Sequence, residues 1–192
     1  GYETVPQFSI ATRAGDKTIK VAEADDSGRI PDSQQAVISV EMGRAEITGL
    51  STAHIGRESF AGIAVDVGNP HLAVVVPGWD SEDIARLQLQ TPRIDRDFFP
   101  AGVNVEIATP LVDGTTHMRV FERGVGETKS CGTGTVATAC AVLADAGKQE
   151  GTVTVVVPGG TVIVEIREDG ATLTGPSRIV AQGTFHIELA DQ

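Results

Sequence analysis

Along most of the chain, apolar and polar residues alternate in short runs rather than in helical periods. Phe8-Ser9-Ile10-Ala11-Thr12 and Thr18-Ile19-Lys20-Val21-Ala22 alternate on either side of a turn at 13–16, the pattern of a β-hairpin. Residues 25–35 are polar and read as a loop, and 36–42 as a third strand. Residues 44–60 are weakly patterned, and His54 within them reads as a surface histidine. Strands are predicted at 61–67 and 71–76, broken by Gly68-Asn69-Pro70. Others follow at 103–107, after Phe98-Phe99-Pro100, and at 117–121. The C-terminal third predicts strands at 152–157 and 162–166 around Pro158-Gly159-Gly160, then at 171–174, 179–181 and 185–189. Two stretches depart from alternation. Residues 80–89 predict a helix: Asp80 or Ser81 caps it, Glu82 and Asp83 fill its first turn, and Ile84, Leu87 and Leu89 form an apolar side. Val136 to Ala144 is Ala-rich without Gly or Pro and stops at Gly147, which predicts a second helix with a glycine at its C-terminal end. Many short strands and two helices predict an α+β fold with mainly antiparallel pairing.

The second helix gives the chain its chemistry. It is entered through Phe121-Glu122-Arg123-Gly124-Val125-Gly126-Glu127-Thr128 and Ser130-Cys131-Gly132-Thr133-Gly134. Cys131 therefore lies at or just before a helix N-terminus, where unpaired N–H groups and the positive end of the helix dipole meet. Such a position favours thiolate over thiol and attracts carboxylates or phosphates. Glycines flanking a cysteine offer it no wall to pack against, so Cys131 reads as a functional thiol. Cys140 lies within the Ala/Val/Leu run and reads as packing.

The hairpin at 8–21 can be laid over the one at 153–166. Each is a strand, a glycine-containing turn and a strand, followed by a further strand at 36–42 or 171–174. In the second copy the cysteine–glycine turn and its helix come directly before the hairpin. Their counterpart for the first copy would lie upstream of Gly1. The repeat thus predicts that these residues are the back part of a longer protein.

Charge and cysteine usage narrow the function. The 192 residues carry a formal net charge of −11 and no basic cluster, which argues against nucleic acid or an anionic membrane surface as partner. No apolar run reaches membrane-span length. Cys131 and Cys140 are separated by about 13 Å of helical rise, too far for a disulfide. Two cysteines that cannot pair suit a reducing, cytoplasmic setting. The four histidines show no metal-ligand spacing, so no metal is expected.

Gly68-Asn69-Pro70-His71, Val103-Asn104, Glu122 to Thr128, Cys131-Gly132-Thr133-Gly134 and Pro158-Gly159-Gly160 closely resemble the diaminopimelate epimerase family, in order and spacing, across essentially the whole chain. The resemblance implies two pseudo-symmetric domains, each a curved sheet around a central helix, with the active site in the cleft between them. It implies interconversion of LL- and meso-diaminopimelate, in lysine and peptidoglycan-precursor synthesis, with no cofactor. One cysteine removes the Cα proton and a second, from the other domain, reprotonates the opposite face. The family's front segment, with its own cysteine, has no counterpart here. Residues 1–34 then correspond to a remnant of the first domain, 35–175 to a complete second domain and 176–192 to strands returning to the first. The family often dimerises, and a homodimer is expected on that basis. Alternatives are a related proline-racemase-like enzyme and a non-catalytic half-module that binds carboxylates.

On this resemblance Cys131 is a proton acceptor, and the N–H groups of Gly132 and Thr133 hold the α-carboxylate. His71 and Glu122 tune thiol protonation. Arg123 clamps the distal carboxylate in two-pronged geometry, with Asn69 and Asn104 as neighbouring polar contacts.

Overall fold

A computed structural model describes residues 7–12, 15–21, 35–178, 180–181 and 183–184. The strands are β1 (Gln7–Thr12), β2 (Gly15–Val21), β3 (Gln35–Gly43), β4 (Glu46–Ile55), β5 (Glu58–Asp66), β6 (Pro70–Val75), β7 (Arg93–Ile94), β8 (Asn104–Ala108), β9 (Thr115–Glu122), β10 (Gly126–Thr128), β11 (Gly151–Val157), β12 (Gly160–Arg167) and β13 (Gly170–Arg178). The helices are α1 (Ser81–Arg86) and α2 (Gly132–Asp145). Strand order is β1-β2-β3-β13-β12-β11-β9-β8-β6-β5-β4-β7, with β10 folded back on β9. Among the described residues only β6–β8 and β9–β11 pair in parallel, so the α+β expectation with mainly antiparallel pairing holds.

The two hairpins of the internal repeat occupy mirrored places. β1-β2-β3 and β11-β12-β13 are each consecutive in the sheet, and they join through β3 and β13.

α2 is the centre of the packing. It lies against β5, β6, β8, β9, β11, β12 and β13, and its apolar residues merge with Val65, Met118, Val120, Val153, Val155 and Val164 in one core. A helix apolar on all sides is stable only when enclosed in this way. Its end is a Schellman motif: Lys148 N–H donates to the Leu143 carbonyl at 2.8 Å and Gly147 N–H to Ala144 at 3.0 Å. Gly147 supplies the left-handed residue this needs, at φ 71°. A second core, with Leu72, Val74, Val105, Ile107, Ile84 and Phe60, fills the opposite face of β6 and β8. These parallel strands are therefore covered on both sides, and all five residues of β8 are buried.

Several local expectations are corrected. Residues 44–60 are not irregular but form most of the β4–β5 hairpin, closed by a two-residue turn at 56–57 and interrupted by a register shift between Ile47 and Gly49. That shift breaks the period-two signal. The first helix is shorter than 80–89. Asp80 and Asp83 form a capping box at its start. At its end, Arg119 Nη1 on β9 donates to the Ile84 carbonyl at 3.0 Å and also to that of Leu87. Leu87 is extended, and the chain leaves the helix there. β13 runs through Arg178, whereas Val180 and Ala181 are not in a strand. The predicted strand at 185–189 and most of the polar loop at 25–35 lie outside the described residues.

Candidate active site

Strand parity decides which side chains meet α2. On β6, Leu72 and Val74 face the second core, so His71 faces α2. On β8, Val105 and Ile107 do the same, which turns Asn104 and Glu106 to the helix side. On β9, Met118 and Val120 are in the α2 core, and Glu122 follows on the same face. The parallel register sets His71 beside Asn104 and Ala73 beside Glu106. His71 and Glu106 are thus diagonal neighbours on one face, within reach of each other.

They use that reach. His71 Nδ1 and Glu106 Oε1 are 2.7 Å apart, and both side chains are 0% exposed. Glu106 also sets the residue allowed in the first turn of α2. A Cβ on Gly134 would lie 2.7 Å from Glu106 Oε1, and 3.2 and 3.3 Å from Cys131 Cβ and Sγ. A side chain at Gly134 would therefore have to displace the Glu106 carboxyl, which His71 holds, and crowd the thiol. A Cβ on Gly132 would make only ordinary contacts, the nearest with Leu173 at 3.4 Å.

Cys131 is the N-cap of α2 in extended backbone, and its side chain makes no capping bond. The first helical hydrogen bond runs from Thr135 N–H to the Cys131 carbonyl at 2.9 Å. The N–H groups of Gly132 and Thr133 precede it and project from the helix start. The approach to Cys131 is anchored from the β11–β12 turn, where Gly159 N–H donates to the Lys129 carbonyl at 2.8 Å. The thiol is half-buried, with Sγ 3.6 Å from Thr133 Oγ1. Burial pushes the Cys131 thiol up. The Thr133 hydroxyl and Gly134 N–H pull the other way, and the carboxyls of Glu122 and Glu106 add to the upward push. The thiol is thus held above its ordinary value rather than below it: desolvation and two nearby acids outweigh the Thr133 hydroxyl and the Gly134 N–H.

Glu122 is half-buried and accepts from the Thr128 hydroxyl. Arg123 is exposed. Its backbone N–H donates to Asn104 Oδ1 at 3.0 Å, and its Nη1 to the Ala101 carbonyl at 3.2 Å. Thus the buried Asn104 fixes the Arg123 backbone, and the guanidinium lies over the turn before β8. Asn69 is half-buried in the turn that leads into β6, where its carbonyl accepts from Val67 N–H at 3.2 Å.

The sequence pattern of diaminopimelate epimerase matches residues 63–180, which contain every one of these groups. The chain belongs to the diaminopimelate epimerase family. It is 60% identical over 176 residues to the diaminopimelate epimerase of Corynebacterium aurimucosum, covering 92% of this chain and 61% of that protein. With the Mycobacterium leprae protein of the same name it shares 45% identity over 196 residues, 100% of this chain and 62% of the relative. The chain thus spans about three-fifths of the length of the curated relatives it matches. Among solved structures it resembles a hydroxyproline epimerase from Agrobacterium vitis, with TM-score 0.60, 18% identity and coverage of 91% of this chain and 58% of that one. A phenazine biosynthesis protein of the PhzF family from Bacillus anthracis gives TM-score 0.55 at 15% identity, covering 93% and 70%. These two likenesses concern the fold alone.

Within this family fold, the residues singled out from the sequence gather at one end of the sheet. His71 and Asn104 begin adjacent parallel strands, Glu122 ends β9 with Arg123 directly after it, and Cys131, Gly132 and Thr133 open α2. Cys140 is half-buried against the α2 core, as expected of a packing residue. Glu106 is the residue that sequence reading misses. In Asn104-Val105-Glu106-Ile107-Ala108 it looks like the polar side of an alternating strand, yet all five residues are buried. The signal was a lone acid in a strand with apolar residues on both faces. Among the described residues no cluster of three or more metal-ligating side chains occurs, and no helix is long and apolar enough to cross a membrane.

Proposed function

We propose that this chain is the Cys131-bearing part of a cytoplasmic, cofactor-independent enzyme that epimerises LL-diaminopimelate to meso-diaminopimelate. Residues 35–175 are its second domain, residues 1–34 and 176–192 belong to the first, and the working enzyme is a homodimer. The observation that carries this reading is the uncapped Cys131 thiol at the start of α2, beside the N–H groups of Gly132 and Thr133. The N–H pair binds the α-carboxylate and stabilises the charge that spreads onto it when Cα loses its proton. Cys131 acts on one face of Cα, and a second thiol, contributed by the first domain, acts on the other. Because the reaction is reversible, each thiol is acceptor in one direction and donor in the other. The raised thiol suits the donor role; the acceptor role needs the carboxylate-binding amides and an assembled cleft to favour thiolate.

Glu122 faces the same thiol and adjusts its charge. Arg123 receives the distal carboxylate, which separates diaminopimelate from amino acids with one carboxylate. The full-length protein, incubated with LL- or meso-diaminopimelate in D₂O, is expected to exchange Cα hydrogen for deuterium and to interconvert the isomers. Deuteration with retention would mean that Cys131 works without an opposing base. Absence of both exchange and interconversion would rule the reading out.

A further inference from the structure

Glu106 is a fully buried acid that the acid/base scheme above does not use. Burying a carboxyl in an apolar strand costs several kcal/mol unless it is paired, and an apolar residue would pack there at lower cost. Its one hydrogen-bond partner among the described residues is His71 Nδ1, at 2.7 Å. The outer atoms of the pair, His71 Nε2 and Glu106 Oε2, are buried with no hydrogen-bond partner among the described residues. Glu106 Oε1 also takes the space against Gly134 that a side chain would fill, next to Cys131. The pair is therefore wedged between β6, β8 and the first turn of α2, with the Cys131 thiol and the Glu122 carboxyl as its charged or ionisable neighbours.

We propose that Glu106 is a positioning residue that shares one proton with His71 Nδ1, locks the ring in place and leaves Nε2 as its only open nitrogen. A proton arriving at Nε2 is then matched by movement of the shared proton from Nδ1 to Oε1, and departure reverses the shift. The pair gains or loses one proton at Nε2 without the ring turning. Burial favours the protonated carboxyl, and the hydrogen bond to His71 opposes it in part. The kinetic consequence rests on the epimerase reading above; the hold on the ring does not.

Two measurements on the full-length protein test this. The first is ¹⁵N and ¹H NMR of the histidine rings, assigned with His71→Asn. His71 is expected to show one ring form and a downfield Nδ1 proton that exchanges slowly with water; Glu106→Gln, which keeps the shape but cannot pass a proton, should abolish that resonance. A wild-type His71 ring that interconverts rapidly between tautomers overturns the proposal, even if no variant folds. The second is kinetic. Glu106→Gln should lower kcat roughly ten- to hundredfold with KM changed by less than about threefold, and should have no further effect in a His71→Asn background. Full additivity of the two substitutions would show that Glu106 does not act through His71, and also overturns it. If wild type fails to epimerise while the NMR signature is present, the reading of the reaction falls and the hold on His71 stands.

Discussion

The chain contains one strand–turn–strand pattern twice, and only one copy has a helix against it among the described residues. In β11 and β12 the residues facing α2 are buried along most of their length: Val153, Val155 and Val164 are 0% exposed. In the first copy Ile19 and Val21 of β2 are buried, but in β1, its outer strand, only Phe8 is even half-buried, and Ile10 is 43% exposed. Both copies form antiparallel hairpins with similar alternation. Alternation therefore suffices to specify a strand and its partner, whereas burial depends on what is laid across the face. Chemistry follows the same division. The helix that buries the second hairpin also presents Cys131 at its N-terminus, so one element supplies the core and the reactive end.

The strongest way to break this contrast is Cys131→Ala. In the full-length protein it is expected to lower epimerisation by at least about 100-fold, the usual contribution of a positioned acid/base group, while stability changes by no more than roughly 1 kcal/mol. Activity above a few per cent of wild type would remove Cys131 from the reaction and leave α2 as scaffold only. Core truncation tests the other half of the helix's role. Val155→Ala should cost about 2–3 kcal/mol in chemical denaturation, through lost burial and the cavity left behind.

Arg123→Ala should weaken diaminopimelate binding by about 1.5–3 kcal/mol, the range for a charge-assisted hydrogen bond, and leave binding of a mono-carboxylate amino acid nearly unchanged. Calorimetry with both ligands checks this, and equal losses would place the distal clamp elsewhere. A smaller effect concerns pH. Burial holds the Cys131 thiol above the usual range, so its alkylation by iodoacetamide, followed at that site by mass spectrometry, should still be climbing above about pH 8.5. Because the Glu122 carboxyl pushes in the same direction, Glu122→Gln should move the midpoint down; an upward move would contradict the assigned charge relation. The same shift makes the folded state hold its thiol proton more tightly than the unfolded chain. Its contribution to stability is therefore full below the ordinary thiol pKa and declines as pH rises through the folded one. The smallest change is expected from Ile10→Ala on the open hairpin, within about 0.5 kcal/mol. A loss there as large as that for Val155→Ala would mean that the first copy is covered as fully as the second.

The site was legible in the sequence where backbone geometry dictates residue type. Gly147 announced the end of α2, and the glycines around Cys131 announced its start. The β4–β5 hairpin was not legible, because the register shift near Gly49 breaks the period on which strand recognition relies. The length of α1 was hidden for a different reason. Its end is fixed by Arg119 from a distant strand, and no local pattern records that contact. Glu106 escaped notice because strand alternation does not say whether the second face is solvent or core. Only α2, packed across the face of β8 that carries Glu106, turns an apparently exposed acid into a buried one.

The pairing of β3 with β13 has a consequence for how the chain acquires its shape. Ser39 and Thr174 hydroxyls meet at 2.7 Å although the residues are 135 positions apart. A ribosome must deliver nearly all of this chain before the β3–β13 seam of the sheet can close, and the entropy of closing so long a loop precedes any gain from the contact. Until then β3 and its hairpin have an open, unpaired edge. The last described strand to emerge is the one that unites the two halves, so folding of the seam is expected to be slow, late and sensitive to aggregation during synthesis.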